Sequence, residues 1–208
     1  MKKIVIAIDG PSASGKGTLA KKIASYFNLD YLNTGAIYRL IGLRVIDQKL
    51  DPYNFEDYLT ILTKNISEQD LENEELFSEK VGAIASIIAK NKNLRNSIFQ
   101  FQRDFVNNGK TNKNGCVLDG RDTTTVICPD ADYKFFVTAD VEIRAQRRFR
   151  QFPNQDYQEI LAQLKSRDDN DFNRAESPLK IADGAIIIDN GNLTIADSFT
   201  KILEYIKI

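Results

Sequence analysis

Five short apolar runs mark the positions where strands are expected in this chain. They lie at 4–8, 30–32, 116–119, 133–138 and 185–189. Three of them are continuous runs of β-branched or aromatic residues, which is typical of parallel strands that are covered on both faces. The pattern therefore predicts an α/β fold in which helices cross between parallel strands.

Helical spacing of apolar residues fills most of the chain between these runs. Helices are predicted over 16–27, 36–48, 54–64, 75–90, 92–107, 140–151, 156–170 and 194–206. The second and third strands are separated by about eighty residues, which is too long for an ordinary crossover and predicts an inserted lobe. Its middle, NISEQDLENEELFSEK at 65–80, is acidic and weakly patterned. We expect an exposed connection there.

The composition limits the class of protein. A length of 208 residues with 42% hydrophobic content fits one domain, with or without a sizeable insertion. The 28 basic and 29 acidic residues nearly balance, which argues against a nucleic-acid coat or a membrane-surface patch. The first apolar run is too short for a signal sequence or a membrane span. These features predict a cytoplasmic protein, monomeric by default, that binds neither nucleic acid nor membrane.

The residues that are absent or rare restrict the chemistry. The chain has no histidine, which excludes Ser-His and Cys-His nucleophilic catalysis. Its two cysteines, Cys116 and Cys128, cannot form an ordinary zinc site without histidine and are expected to be buried. Any reaction must therefore use lysine, arginine, aspartate, hydroxyl groups or a metal ion.

The strand IVIAID leads directly into GPSASGKGT at 10–18 and then into a helical pattern. This is the G-x-x-x-x-G-K motif of a phosphate-binding loop, in the strand-loop-helix context that the motif requires. The glycines let successive N–H groups point inward, and the helix start adds partial positive charge. The residues predicted to bind ATP are Gly10, Pro11, Ser12, Ala13, Ser14, Gly15, Lys16, Gly17 and Thr18.

A metal site is predicted next to this loop. Gly17 stands where many such loops carry the hydroxyl that binds Mg²⁺, and Thr18 follows it. Asp119, at the end of the strand CVLD, is the candidate acidic residue for the hydration shell of Mg²⁺. We therefore predict that Thr18 and Asp119 bind Mg²⁺, directly or through water.

The loop leaves two classes of function open. One is a kinase that transfers the γ-phosphate to an acceptor, and the other is a GTPase-like switch that gates a partner. A switch would need an N-K-x-D motif and a D-x-x-G element. The nearest match, NKNG at 112–115, lacks the Asp, and no D-x-x-G occurs in the sequence. The sequence therefore favours a kinase.

Arginine is concentrated in the second half of the chain, where six of the eleven arginines lie between 144 and 174. Phosphoryl transfer relies mainly on positioning and on neutralising charge, so these residues are candidates for clamping phosphate. In VEIRAQRRFRQF, at 141–152, Arg144, Arg147 and Arg148 are candidate lid residues. If 166–178 is helical, Arg167, Asp171 and Arg174 share one face. The alternative for that face is a solvated ion pair.

Four motifs in combination resemble the bacterial cytidylate kinases, members of the nucleoside monophosphate kinases. They are DGPSASGKGT at 9–18, NTGAIYR at 33–39, LDGRDTTTV at 118–126 and RDDNDFNRA at 167–175. The resemblance runs nearly end to end. It implies a five-stranded parallel sheet covered by helices, with an inserted monophosphate-binding lobe and a short lid. The implied reaction uses ATP and Mg²⁺ to convert CMP or dCMP to the diphosphate.

The resemblance also implies roles for individual residues. Asp122, Ser86 and Arg95 correspond to residues that read cytosine, where a carboxylate accepting from the N4 amino group would favour cytosine over uracil. The implied CMP-binding residues are Thr34, Arg39, Ser86, Arg95, Arg121, Asp122, Arg167, Asp171 and Arg174. Among them, Arg39, Arg121 and Arg174 are implied at phosphate, and Arg167 and Asp171 at the ribose. The predicted catalytic residues are Lys16, Arg121, Arg144, Arg147, Arg148 and Arg174.

The chain departs from the family pattern in three places. Asn33 replaces the usual Asp, which removes a charge beside the acceptor loop. Thr124 replaces a common Gly, so we expect strain there if the turn requires a positive φ. The insertion is shorter than in long-form enzymes and lacks what resembles their small antiparallel sheet near 65–75.

The predicted organisation is one kinase domain over 1–208. Its core spans about 1–40 and 110–208, the monophosphate-binding insertion about 41–109, and the lid about 144–158. Two other functions stay open from sequence, namely a uridylate or broad pyrimidine monophosphate kinase and a nucleotide-gated regulatory NTPase.

Overall fold

The computed structural model describes residues 3–108 and 113–207. Its centre is a five-stranded sheet with the strand order β2-β3-β1-β4-β5, and all of its strand pairings are parallel. The strands are β1 Ile4–Asp9, β2 Asp30–Asn33, β3 Gly115–Gly120, β4 Tyr133–Thr138 and β5 Ile186–Asp189. The predicted α/β class and all five strand positions are confirmed.

The described residues also form eight α-helices. They are α1 Lys16–Phe27, α2 Thr34–Asp47, α3 Leu59–Leu62, α4 Glu79–Ile88, α5 Lys92–Asn108, α6 Val141–Gln151, α7 Tyr157–Asn173 and α8 Ile195–Leu203. Several boundaries differ from the prediction: α7 ends three residues later and α8 three residues earlier than expected, and the largest differences are at 54–64 and 75–90. Only α3 and a preceding 3₁₀ turn form at 54–64, and α4 begins at Glu79 because the Ser78 hydroxyl caps the helix by accepting from the Val81 N–H.

The core divides into two halves because side chains alternate across each strand. In β1, Ile6 and Ile8 pack with α1 and α8 on one face, whereas Ala7 points to the other face against α2 and the insertion. Both faces are buried, which explains the uninterrupted apolar run in the sequence. Each fully buried aliphatic side chain of this kind contributes about 1.5–3 kcal/mol to folding.

The acidic middle of the insertion is more firmly attached than the sequence predicts. Two 3₁₀ turns, Gln69–Glu72 and Glu74–Phe77, each place one leucine in the core. Leu71 is 9% exposed and Leu76 is fully buried. The expected exposed connection was therefore wrong at these two positions. The predicted boundary of the insertion at 109–110 lies outside the described residues.

The ends of the parallel strands determine where a site can form. The phosphate loop at 10–15 follows β1, and Arg121 follows β3 directly. The carboxyl ends of adjacent parallel strands meet at one edge of the sheet, which is where ligands bind in α/β folds. Two clefts open at this edge. In the described part of the chain, no helix has the length and apolar character needed to span a membrane.

Candidate active site

The phosphate loop is held in shape by side chains from distant parts of the chain. Gly15 has φ +86, a left-handed conformation that glycine adopts without steric cost at the start of α1. The Asn190 amide donates to the Ser14 carbonyl at 2.7 Å, and Arg144 donates to the Ser12 carbonyl at 3.0 Å. All nine residues predicted to bind ATP belong to this strand-loop-helix unit, and seven of them, from Ser12 to Thr18, line one cleft, the donor cleft.

Lys16 projects from the first turn of α1 into this cleft, where its amine donates to the Pro11 carbonyl at 3.2 Å. Burial lowers the pKa of Lys16 to about 7, and the neighbouring Arg121 guanidinium adds to the lowering. An anion that approaches the amine would raise its pKa again and restore the positive charge of Lys16. A triphosphate supplies such an anion.

Asp119 lies against the start of α1. A Cβ added at Gly17 would approach Asp119 Oδ2 to 2.9 Å, so a larger side chain at that position would have to displace the carboxylate. Burial raises the pKa of Asp119, and Lys16 partly offsets this effect. Asp119 Oδ1 is buried, and no hydrogen-bond partner reaches it within the described chain. An unpartnered carboxylate oxygen beside a phosphate site fits a hard divalent cation such as Mg²⁺, and Thr18 lines the same cleft.

A second cleft, the acceptor cleft, contains all nine residues of the predicted CMP site. Its empty space is about 590 Å³, including space open to solvent. Its lining brings together Thr34, Arg39, Ser86, Arg95, Arg121, Asp122, Arg167, Asp171 and Arg174. These residues come from α2, α4, α5, α7, the position directly after α7 and the turn after β3.

A buried ion pair closes the deep end of the acceptor cleft. Arg95 donates to Asp122, and the two side chains are 8% and 7% exposed. The Arg95 guanidinium also lies 5.4 Å from the centre of the Tyr38 ring. Ser86 Oγ is buried nearby and has no hydrogen-bond partner among the described residues. This end of the cleft therefore offers a carboxylate, a guanidinium and an unused hydroxyl to a polar ring.

The two clefts meet at Arg39 and Arg121, which line both of them. Arg121 Nε donates to Asp171 at 2.6 Å. Burial opposes the charge of Arg121, but Asp171 outweighs this effect and raises the pKa. Arg39 donates to the Leu76 carbonyl at 2.7 Å, and burial together with the nearby Arg167 lowers its pKa to about 10. The junction of the clefts is strongly positive.

The helical face predicted at 166–178 forms for Arg167 and Asp171 but not for Arg174, because α7 ends at Asn173. Arg167 and Asp171 project from α7 into the acceptor cleft, and Arg174 lies just after the helix. Arg174 Nη1 lies 3.5 Å from Asp171, while its Nη2 is buried without a partner in the described structure. Because the three side chains are largely buried, they do not form a solvated surface pair.

The three candidate lid arginines differ in their surroundings. Arg147 and Arg148 line the donor cleft. Arg147 donates to the Asn190 carbonyl at 2.6 Å, and Arg148 is paired with Glu79. Arg144 is 4% exposed and reaches neither cleft, because it donates to Asp168, to Ser12 and to the Ala139 carbonyl. In this conformation Arg144 supports the phosphate loop through its hydrogen bond to the Ser12 carbonyl.

Several residues of the site were missed by the sequence analysis. Glu79 accepts from Arg148 and from Arg167 at 2.6 Å, so it joins α4 to α6 and α7. Asp168 pairs with Arg144 at 2.5 Å, and Arg150 lines the donor cleft. A local pattern does not reveal these partners, since they are distant in the sequence. Tyr38 and Asp168 had a local signal, because they belong to the NTGAIYR and RDDNDFNRA motifs.

The two substitutions that depart from the family pattern are accommodated without strain. Asn33 caps α2 by accepting from the Ala36 N–H at 3.1 Å, a role that asparagine performs as well as aspartate. Thr124 is not among the described residues with positive φ, so the expected strain is absent. It lies in a π-helical turn, Thr123–Ile127, and its hydroxyl donates to Asp9 at 2.5 Å.

A family model for cytidylate kinase matches residues 6–208. The chain belongs to the cytidylate kinase family. It is 43% identical over 203 residues to the cytidylate kinase of Bartonella quintana, covering 96% of this chain and 92% of that protein. It is 39% identical over 209 residues to the cytidylate kinase of Azorhizobium caulinodans, covering 98% of each chain. The resemblance predicted from the four motifs is confirmed.

A solved structure supports the fold. The crystal structure of an uncharacterized protein from Eubacterium ventriosum superposes with a TM-score of 0.54 at 18% identity, covering 98% of each chain. At this identity the likeness concerns the fold alone. Membership of a kinase family implies ATP-dependent phosphoryl transfer, which typically needs a divalent metal ion.

Proposed function

We propose that this protein transfers the γ-phosphoryl group of ATP to CMP or dCMP, giving ADP and CDP or dCDP. One observation carries the proposal: a phosphate-loop cleft and a second cleft share Arg39 and Arg121, and the second cleft ends at the buried Arg95–Asp122 pair. A donor and an acceptor could thus bind with their phosphates facing each other at the shared arginines. The family assignment supports the same reaction.

In this proposal the protein supplies position and charge. Lys16 and the loop N–H groups hold the ATP phosphates, and Arg39 and Arg121 hold the acceptor phosphate at the junction of the clefts. Their positive charges stabilise the negative charge on the transferring group. Thr18 and Asp119 would hold Mg²⁺, which neutralises charge on the phosphate oxygens when it is bound.

The other end of the acceptor is recognised by its base. Asp122 would accept from the N4 amino group of cytosine, while the Arg95 guanidinium would face the O2 carbonyl oxygen and the N3 ring nitrogen, with Ser86 beside them. Uracil has a carbonyl in place of the amino group, so it would meet the carboxylate acceptor to acceptor. Asp171 and Arg167 would contact the ribose, and Arg174 would add charge near the phosphate.

We also propose the arrangement of parts around this site. The segment of about 41–109 acts as the monophosphate-binding insertion, and the segment of about 144–158 acts as the lid that brings Arg147 and Arg148 over the phosphates. The protein acts in the cytoplasm as a monomer on free nucleotides. Its two cysteines support this compartment, because both are buried thiols without a disulfide.

The test is ADP formation from ATP with Mg²⁺ and a panel of acceptors, CMP, dCMP, UMP, AMP and GMP, with a no-acceptor control. We expect turnover to be largely confined to CMP and dCMP. Equal turnover with UMP would instead indicate a broad pyrimidine kinase. Hydrolysis that is independent of acceptor, or no reaction at all, would overturn the proposal.

A further inference from the structure

Asp9 is a fully buried carboxylate that contacts neither cleft. Its Oδ1 accepts from the N–H and the hydroxyl of Thr123 at 2.9 and 2.7 Å. Its Oδ2 accepts from the N–H and the hydroxyl of Thr124 at 2.8 and 2.5 Å. Each carboxylate oxygen therefore accepts both the backbone and the side-chain hydrogen bond of one threonine. All four hydrogen bonds join segments that are more than a hundred positions apart in the sequence.

Asp9 also connects a segment next to the donor cleft with a segment next to the acceptor cleft. It is the last residue of β1, so the phosphate loop begins at the next position. Thr123 directly follows Arg121 and Asp122, which line the acceptor cleft. One carboxylate thus connects the start of the ATP-binding loop to the turn that carries two proposed acceptor contacts.

The sheet alone does not fix this turn. The parallel pairing of β1 with β3 ends at Asp9 and Gly120, so the ladder of backbone hydrogen bonds stops before Arg121. The π-helical turn then satisfies its later N–H groups internally, with Val126 and Ile127 both donating to the Asp122 carbonyl. The first N–H groups of any helical turn have no partner inside it. Asp9 provides that partner for Thr123 and Thr124.

We propose that Asp9 is a positioning residue for phosphoryl transfer. It sets the distance between the ATP-binding loop and the acceptor contacts Arg121 and Asp122, and the Thr124 hydroxyl strengthens this connection. The inference rests on the proposed function. A displacement of about 1 Å in a reacting complex can reduce the rate by about 10²-fold, so a connection of this kind affects catalysis without touching substrate.

The chain offers a matched set of variants. Asp9→Asn replaces one accepting oxygen with an amide that cannot accept from the Thr124 N–H. Thr124→Val removes one hydroxyl and keeps the β-branched shape, whereas Thr124→Ser keeps the hydroxyl. Thr125→Val is the control, because Thr125 Oγ1 is also buried but has no hydrogen-bond partner in the described structure.

The kinetic measurement compares KM and kcat for CMP, UMP and ATP in these variants. We expect Asp9→Asn to lower kcat/KM for CMP by about 10- to 100-fold and to reduce the preference for CMP over UMP. The KM for ATP should change little, since Asn190 and Arg144 hold the loop independently. Thr124→Val should change the same quantities by a few-fold, Thr124→Ser should restore them, and Thr125→Val should leave them unchanged.

A second measurement does not depend on activity. Amide hydrogen exchange of a peptide covering 120–128, in the nucleotide-free protein, should be faster in Thr124→Val than in wild type or Thr125→Val. If exchange and the CMP-to-UMP ratio are the same in Thr124→Val and Thr125→Val, the inference is wrong. This comparison remains decisive if Asp9→Asn fails to fold. Failure of the proposed function would appear separately, as absent CMP-dependent turnover by the wild-type protein.

Discussion

The two clefts adjoin each other but are built by different means. The donor cleft is organised around one continuous segment, 12–18, whose shape depends on hydrogen bonds to its carbonyl groups. The acceptor cleft is lined by side chains from four helices and one turn. Many of these side chains are paired with one another, as Arg95 is with Asp122 and Arg121 is with Asp171.

This difference determines how each cleft should respond to substitution. A site organised around a loop loses affinity mainly when the path of the loop or its lysine changes. In a side-chain network, removing one partner leaves a buried charge unpaired, so the damage spreads to stability as well as to binding. The donor cleft should therefore separate function from folding, whereas the acceptor cleft should couple them.

The largest effect should come from the donor cleft. Lys16→Met should reduce phosphoryl transfer by about 10³-fold or more, because it removes the positive charge that stabilises the transferring phosphate. The melting temperature should stay close to that of wild type, since the amine makes one hydrogen bond among the described residues, to the Pro11 carbonyl at 3.2 Å. ADP formation with CMP and calorimetry measure the two quantities. Lys22→Met, on the exposed side of α1, is the matched control, and an equal loss there would contradict the prediction.

A substitution in the acceptor network should affect both function and folding. Asp122→Ala should reduce the use of CMP far more than that of UMP, and should lower the free energy of unfolding by about 3–5 kcal/mol because Arg95 is left buried and unpaired. Urea unfolding and the two kcat/KM values test this. Asp130→Ala is the control, since Asp130 is 75% exposed where it faces Arg103 at 3.5 Å. That pair should contribute less than about 1 kcal/mol. Equal losses for CMP and UMP would refute the role of Asp122.

Glu79→Gln should sharpen the comparison, because Glu79 pairs with one arginine of each cleft, Arg148 and Arg167. Burial alone would raise the pKa of Glu79, but these guanidinium groups outweigh it and lower the pKa. Without the carboxylate, Arg39, Arg148 and Arg167 should repel one another. We expect KM for CMP to rise by about tenfold and stability to fall by about 1–3 kcal/mol. An unchanged KM together with unchanged stability would show that the carboxylate does not hold these arginines.

The smallest effect should be the uptake of protons when ATP binds. The pKa of Lys16 is lowered to about 7 in the nucleotide-free protein, and an approaching phosphate should raise it again. Above that pH the amine is mostly neutral, so ATP binding should take up nearly one proton at about pH 8 and almost none at about pH 6. The affinity for ATP should therefore decrease as the pH rises above 7.

This uptake can be measured by titration calorimetry in buffers of different ionisation enthalpy. Lys16→Arg is the control, because a guanidinium stays charged over this range and any remaining uptake then belongs to ATP itself. If wild type and Lys16→Arg take up the same number of protons, the amine is already charged before ATP binds.

Much of the architecture was predictable because its signals are local. The apolar runs located all five strands, and the glycine spacing located the phosphate loop. The burial of Leu71 and Leu76 was not predictable, since two leucines in an acidic stretch do not form a periodic pattern. The partner of Arg144 was equally hidden. Asp168 lies 24 positions away, and only the packing of α6 against α7 brings the two together.

The sequence by itself determined where the strands lie along the chain, where the phosphate loop lies and which residue types are available for binding. These features depend on neighbouring positions. The tertiary structure decided which charges meet. It turned Arg144 away from both clefts, placed Glu79 between Arg148 and Arg167, and connected Asp9 to Thr123 and Thr124. Pairings between distant residues follow from the pairing of the strands and the packing of the helices, and no local pattern encodes them.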